Sequence, residues 1–213
     1  MEETFAELRA LQEEGKIRHI GVCNFGCADL RRALATGVTI VSNQISYNLL
    51  WRGIEDEVVP LCLARGIAIL PWGPMAQGLL CGKFATADDV PPARQRSRLF
   101  CGAGAGARAQ QRHGEAGCEA EAFAALGKIR GVADALGQSM ANVSLAWVRE
   151  QPGVTSTLMG ARTPAQLARN LESIGLELSP ATLSSLNDAG KAVKEALGAN
   201  LDPYEAADST RIL

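Results

Sequence analysis

The chain has no excess of positive charge: Lys and Arg total 21 against 23 Asp and Glu, for a formal net charge of −2. A broad basic face for nucleic-acid phosphates is therefore excluded, and the arginines at 94, 96, 98, 108 and 112 form one local cluster. Long apolar runs are missing too, so no segment reads as a membrane span. The first residues, MEETFAELRALQEEGK, form an acidic amphipathic helix without the basic start and apolar stretch of a secretory signal. The setting this implies is cytoplasmic and reducing, with neither nucleic acid nor membrane as partner. Histidine is scarce, and His19 and His113 share no ligand spacing with each other or with the six cysteines. Those cysteines form no Cys-x-x-Cys pair, so no metal site is expected and most should be small buried hydrophobes. Asn142-Val143-Ser144 matches a glycosylation sequon but falls in a helical pattern, and it is set aside.

What is present is a globular composition, 47% hydrophobic and 21% charged over 213 residues, enough for a substantial core. Periodicity switches along the chain. A helix through Phe5, Leu8 and Leu11 precedes the strand IRHIGVCNF; the helix CADLRRALATG precedes the strand VTIVSNQISY; the helix IEDEVVPLCLARG precedes the strand IAILPW. This alternation predicts a parallel sheet with crossover helices. A low-complexity insertion at about 101–118 interrupts it, after which helices over EAEAFAALGKIRGVADALG and SMANVSLAWVREQ are expected, with Met140, Val143 and Trp147 facing the core. A fourth strand, VTSTLMG, leads to ARTPAQLARNLESIG, a helix with Thr163 as N-cap and Pro164 at its first turn. A Ser-Pro start then opens the last helix, LSPATLSSLNDAGKAV.

The stretch LPWGPMAQGLLCGK, residues 70–83, ends a strand in a loop holding Gly73, Gly78, Gly82 and Lys83. Glycines let backbone N–H groups approach an anion closely, and phosphate is the usual guest. The spacing is not that of a Walker loop, since Phe84 stands where Ser or Thr belongs. Taken alone, these glycines favour the simpler reading, in which Gly73 and Pro74 make a turn and the other glycines punctuate a surface loop.

Four segments in order, GKIRHIGVCNF, VSNQISYNLL, ILPWGPMAQGLLCGKF and GVTSTLMGARTPAQLARNL, resemble the C-terminal half of the aldo-keto reductases. The resemblance implies an α/β fold: a partial (β/α)8 TIM barrel corresponding to strands 5–8 and their helices, in one domain spanning 1–213. It further implies NADP(H) as cofactor and a small-molecule carbonyl compound as substrate. By the same resemblance the nicotinamide lies against Trp72, with its carboxamide meeting Asn24 and Gln44. Cys23 stands where the family usually has a Ser, and Trp72 where Tyr is common. The cofactor also meets Gly73, Pro74, Met75, Gln77, Gly78 and Leu79, whose backbone N–H groups, Pro74 excepted, serve as donors, with cationic contacts from Lys83 and from Arg94 or Arg96. Gly160 and Arg162 meet the 2′-phosphate, and Gln166 and Asn170 the adenine, while Arg169 replaces a common Glu. Each residue singly also fits a structural role; polar groups at four successive strand ends favour a site.

The family's catalytic Asp, Tyr, Lys and His lie on its first four strands, and Tyr47, Tyr204 and the two histidines do not match that motif. The resemblance thus implies the cofactor-binding half of an NADP(H)-dependent oxidoreductase, inactive alone. A non-enzymatic module that binds NADP(H) or a partner is the alternative. Open barrel edges would favour self-association or a partner chain.

Overall fold

A computed structural model describes residues 1–100, 115–205 and 212. Three strands, β1 (Ile20–Cys23), β2 (Ile40–Ser46) and β3 (Ala68–Trp72), form a parallel sheet in the order β1-β2-β3. Helix α1 (Glu2–Glu13) precedes it; α2 (Cys27–Ala35) and α3 (Val58–Arg65) make the crossovers. The remaining helices are α4 (Glu119–Ala135), α5 (Met140–Arg149), α6 (Pro164–Leu171) and α7 (Pro180–Leu197). Their starts follow local chemistry: Ser139, Thr163 and Ser179 each accept a hydrogen bond from the backbone N–H three residues on.

The expected fourth strand is not formed. Residues 154–158 touch β3 through isolated parallel bridges, Ile69 to Val154 and Trp72 to Leu158. The cause is a proline. Ile69 donates to the Gly153 carbonyl at 2.9 Å and accepts from Thr155 at 3.1 Å, so residue 71 would be the next donor on that side. Pro71 has no N–H. The chain slips by one residue, and Leu158 donates to the Pro71 carbonyl at 2.9 Å.

The core behind the sheet is continuous and includes Leu30, Ile45, Tyr47, Ile54, Ile69, Ile129 and Trp147, each at most 1% exposed. Val143 and Met140 are buried with Trp147, as the helical period predicts. The cysteines divide: Cys27, Cys62 and Cys118 are buried, Cys81 is intermediate, and Cys23, at the end of the edge strand β1, is exposed. A polar network joins sheet to helices. The Trp147 indole donates to Asn187 at 2.9 Å, and the Tyr47 hydroxyl donates to Glu55 at 2.8 Å. Arg52 pairs with Glu55 and stands 5.4 Å from the Trp147 ring centre, and Lys194 on α7 also reaches Glu55. Most of the expected insertion, 101–114, lies outside the described residues. Its end at 115–118 is held by Arg98, which pairs with Glu115, donates to the Ala116 carbonyl, and grips the C-terminal carbonyls of α7 at Ala196 and Leu197.

Candidate functional site

The parallel sheet presents the C-terminal ends of its strands on one rim, where Cys23, Asn24, Gln44 and Trp72 gather. Register places Cys23 opposite Gln44, and the thiol donates to the Gln44 Oε1 at 3.2 Å. Partial desolvation pushes the Cys23 thiol pKa up, although the residue stays exposed. Asn24 leaves the strand with φ at 56°, a left-handed conformation that Asn tolerates. Its Oδ1 accepts from the Trp72 indole at 2.8 Å. These side chains are therefore mutually positioned.

After Trp72 the chain turns at Gly73, whose carbonyl accepts from the buried Asn48 side chain at 3.0 Å. Ala76, Gln77 and Gly78 then take successive positive φ angles of 45°, 55° and 99°. For the two non-glycine residues such angles cost on the order of 1–3 kcal/mol each. A Cβ on Gly78 would lie 3.3 Å from the Lys83 Cε, 3.4 Å from its Nζ and 3.6 Å from the Arg94 Nη1. Glycine thus leaves a cradle beneath two cations. Further along, Gly82 is pinned by Arg130, which donates to its carbonyl at 2.6 Å.

Facing this loop is the start of α6. The Gln166 Oε1 accepts from the Arg162 backbone N–H at 2.9 Å, and Thr163 caps the same turn. A cleft of about 520 Å³ runs between the two segments. It is lined on one side by Gly73, Pro74, Met75, Gln77, Gly78, Lys83 and Arg94, and on the other by Gly160, Arg162, Gln166 and Asn170. Of the residues expected at the pyrophosphate and adenosine ends, Leu79 is set apart, its side chain buried in the core. Cys23, Asn24, Gln44 and Trp72 do not line this cleft; Asn24 and Trp72 instead border an adjoining one of about 270 Å³ with Arg96, Asp202 and Tyr204. The structure therefore separates Arg94 from Arg96, which the sequence left as alternatives.

Sequence reasoning missed the N-terminus of α5 here. Ser139, Ala141 and Asn142 line the large cleft together with Cys81 and Arg169. Ser139 was legible as a helix start, but its proximity to the Gly78 loop is a tertiary fact. Asn142 is buried, donates to Glu172 at 3.2 Å, and leaves its Oδ1 without a partner among the described residues. The cleft's electrostatics are one-sided: Lys83, Arg94, Arg162 and Arg169 line it, with no carboxylate among the described lining residues. Four cations lining one cleft suit a ligand with phosphate groups.

The aldo/keto reductase family model matches residues 1–191. The chain belongs to the aldo/keto reductase family. It is 30% identical over 192 residues to the NADH-specific methylglyoxal reductase of Escherichia coli, covering 90% of this chain and 54% of that protein. It is 33% identical over 189 residues to the Escherichia coli protein tas, covering 86% and 51%. The chain spans about half the length of the curated relatives it matches. Among solved structures, a glycerol dehydrogenase from Gluconobacter oxydans superposes with a TM-score of 0.72 at 23% identity, over 97% of this chain and 58% of that one. A thermostable aldo-keto reductase superposes with a TM-score of 0.63 at 21% identity, over 89% and 54%. These likenesses carry the TIM-barrel type of fold. Family members use nicotinamide cofactors and act on small carbonyl compounds. Among the described residues no helix is long and apolar enough to cross a membrane, and no cluster of metal-ligating side chains occurs.

Proposed function

We propose that this chain holds NADP(H) in the cationic cleft and serves the reduction of an aldehyde or ketone to an alcohol, as the fifth to eighth βα units of an eight-unit barrel. The observation that carries the reading is the cleft between the Gly78 loop and the start of α6, lined by four cations and no described carboxylate. Lys83 and Arg94 take the pyrophosphate over Gly78, and Arg162 takes the 2′-phosphate through its planar donor fork. Gln166 and Asn170 face the adenine. At the other end the nicotinamide lies on Trp72, with Asn24 and Gln44 turned toward its carboxamide.

When bound, the cofactor supplies hydride to the carbonyl carbon. The residues of this chain orient it and neutralise its charge. Protonation of the developing alkoxide needs a positioned acid, which typically contributes about 10²–10⁴-fold in rate. No residue here matches the family's catalytic Tyr, so the chain alone is expected to bind cofactor without turnover.

The name of the NADH-specific relative makes NADH the second reading, and Arg162 decides between them. A charge-assisted hydrogen bond is worth about 1.5–3 kcal/mol, and exposure places Arg162 at the low end. Arg162→Ala should weaken NADPH about tenfold and leave NADH nearly unchanged, as read by calorimetric titration. Equal losses for both would remove the 2′-phosphate assignment and favour NADH.

A further inference from the structure

We infer that Tyr204 is a displaceable cap on the nicotinamide end of this site, so that binding of the cofactor's redox ring requires the chain near its C-terminal end to move aside. The inference rests on the cofactor reading above. The Tyr204 and Trp72 rings are stacked, with centroids 6.3 Å apart and planes 15° from parallel. Carbon atoms in contact lie about 3.5 Å apart, so a flat ring inserted between two others needs about 7 Å. The separation of two nearly parallel planes cannot exceed that of their centroids. A nicotinamide therefore does not fit between Trp72 and Tyr204 as they stand, and this face of Trp72 receives one ring or the other.

The cap is built and tethered. Asn200 accepts from the Asp202 N–H at 2.9 Å, and Asp202 accepts from the Tyr204 N–H at 2.9 Å, which folds residues 200–205 into a closed turn. The Asn200 side chain donates to the Glu205 carbonyl at 3.0 Å. Upstream, the buried Trp51 indole donates to the Leu201 carbonyl at 3.3 Å, anchoring the turn to the core. At the tip, Gln77 donates from its side chain to the Tyr204 hydroxyl. Gln77 also lines the cationic cleft, on a left-handed stretch of backbone. One residue thus faces the phosphate end of the site and holds the cap on its other end.

The test compares NADPH with 2′-phospho-ADP-ribose, which lacks the nicotinamide, by calorimetric titration of the full chain and of Tyr204→Ala and Tyr204→Phe. An aromatic stack of this kind corresponds to about a three- to tenfold change in affinity. Tyr204→Ala should tighten NADPH by that factor and leave 2′-phospho-ADP-ribose unchanged. Tyr204→Phe, which keeps the ring and loses the hydroxyl, should fall between, and it serves if the alanine variant does not fold. NADPH affinity that is unchanged or weakened, with 2′-phospho-ADP-ribose still bound, overturns the cap. So does equal tightening of both ligands. If neither ligand binds any of the proteins, the cofactor reading itself fails and the cap falls with it.

Discussion

Trp147→Phe tests whether the network under the sheet is worth what its geometry implies. Trp147 is fully buried, with its indole N–H on Asn187 at 2.9 Å, the Tyr47 ring at 5.4 Å and the Arg52 guanidinium at 5.4 Å. Phenylalanine keeps a ring against Tyr47 and Arg52 but removes two carbons and the donor nitrogen. Two buried carbons correspond to about 1.6 kcal/mol at roughly 0.8 kcal/mol each. Asn187 is partly exposed, so leaving its Oδ1 short costs about 1 kcal/mol, the low end for a lost partner. The sum is about 2.5 kcal/mol. Urea unfolding of the two proteins should show that loss as a lower midpoint with an unchanged slope. A cycle with Asn187→Ala should return a coupling of about 1 kcal/mol. A Trp147→Phe loss below about 1 kcal/mol, or a coupling near zero, would refute the idea that this hydrogen bond ties α5 to α7.

Glu55 gives a pH dependence. Burial alone would raise its pKa, but hydrogen bonds and charge from Arg52, helped by Tyr47 and Lys194, outweigh it and hold the carboxyl below its usual range. Its contribution is therefore present above the ordinary carboxylate pKa and is lost as pH falls through the depressed folded value. Glu55→Gln should lower the melting temperature at neutral pH and flatten its decline below about pH 4; an unchanged acid limb would count against this. Gly78→Ala should weaken NADPH about tenfold, because its Cβ would press on the Lys83 side chain, 3.3 Å from its Cε, and should cost about 1 kcal/mol of stability for a positive φ. Titration and thermal melts read the two effects separately, and unaltered NADPH affinity would remove Gly78 from the site.

What the sequence determined by itself is what local chemistry writes plainly. Ser139, Thr163-Pro164 and Ser179-Pro180 start helices because their side chains satisfy N–H groups left open at a helix N-terminus. Runs such as VTIVSNQISY and IAILPW become parallel strands because the helix between them carries the chain back to the same end of the sheet. Through the family resemblance the glycines after Trp72 and the basic and amide residues around α6 were read from the sequence as contacts of one cofactor, and in the structure both groups line one cleft. Their junction was not legible, because the cleft closes through contacts between residues about eighty positions apart. The N-terminus of α5, with Ser139 and the buried Asn142, enters the cleft by packing alone. The fourth strand fails because Pro71 happens to face it, and the direction a residue's N–H takes is set by register. Tyr204 was seen in the sequence as a tyrosine outside the catalytic motif. Its place on Trp72 depends on how Trp51 anchors Leu201 and on the Asn200–Asp202 turn, and these are decided by the three-dimensional packing of the end of the chain against the sheet.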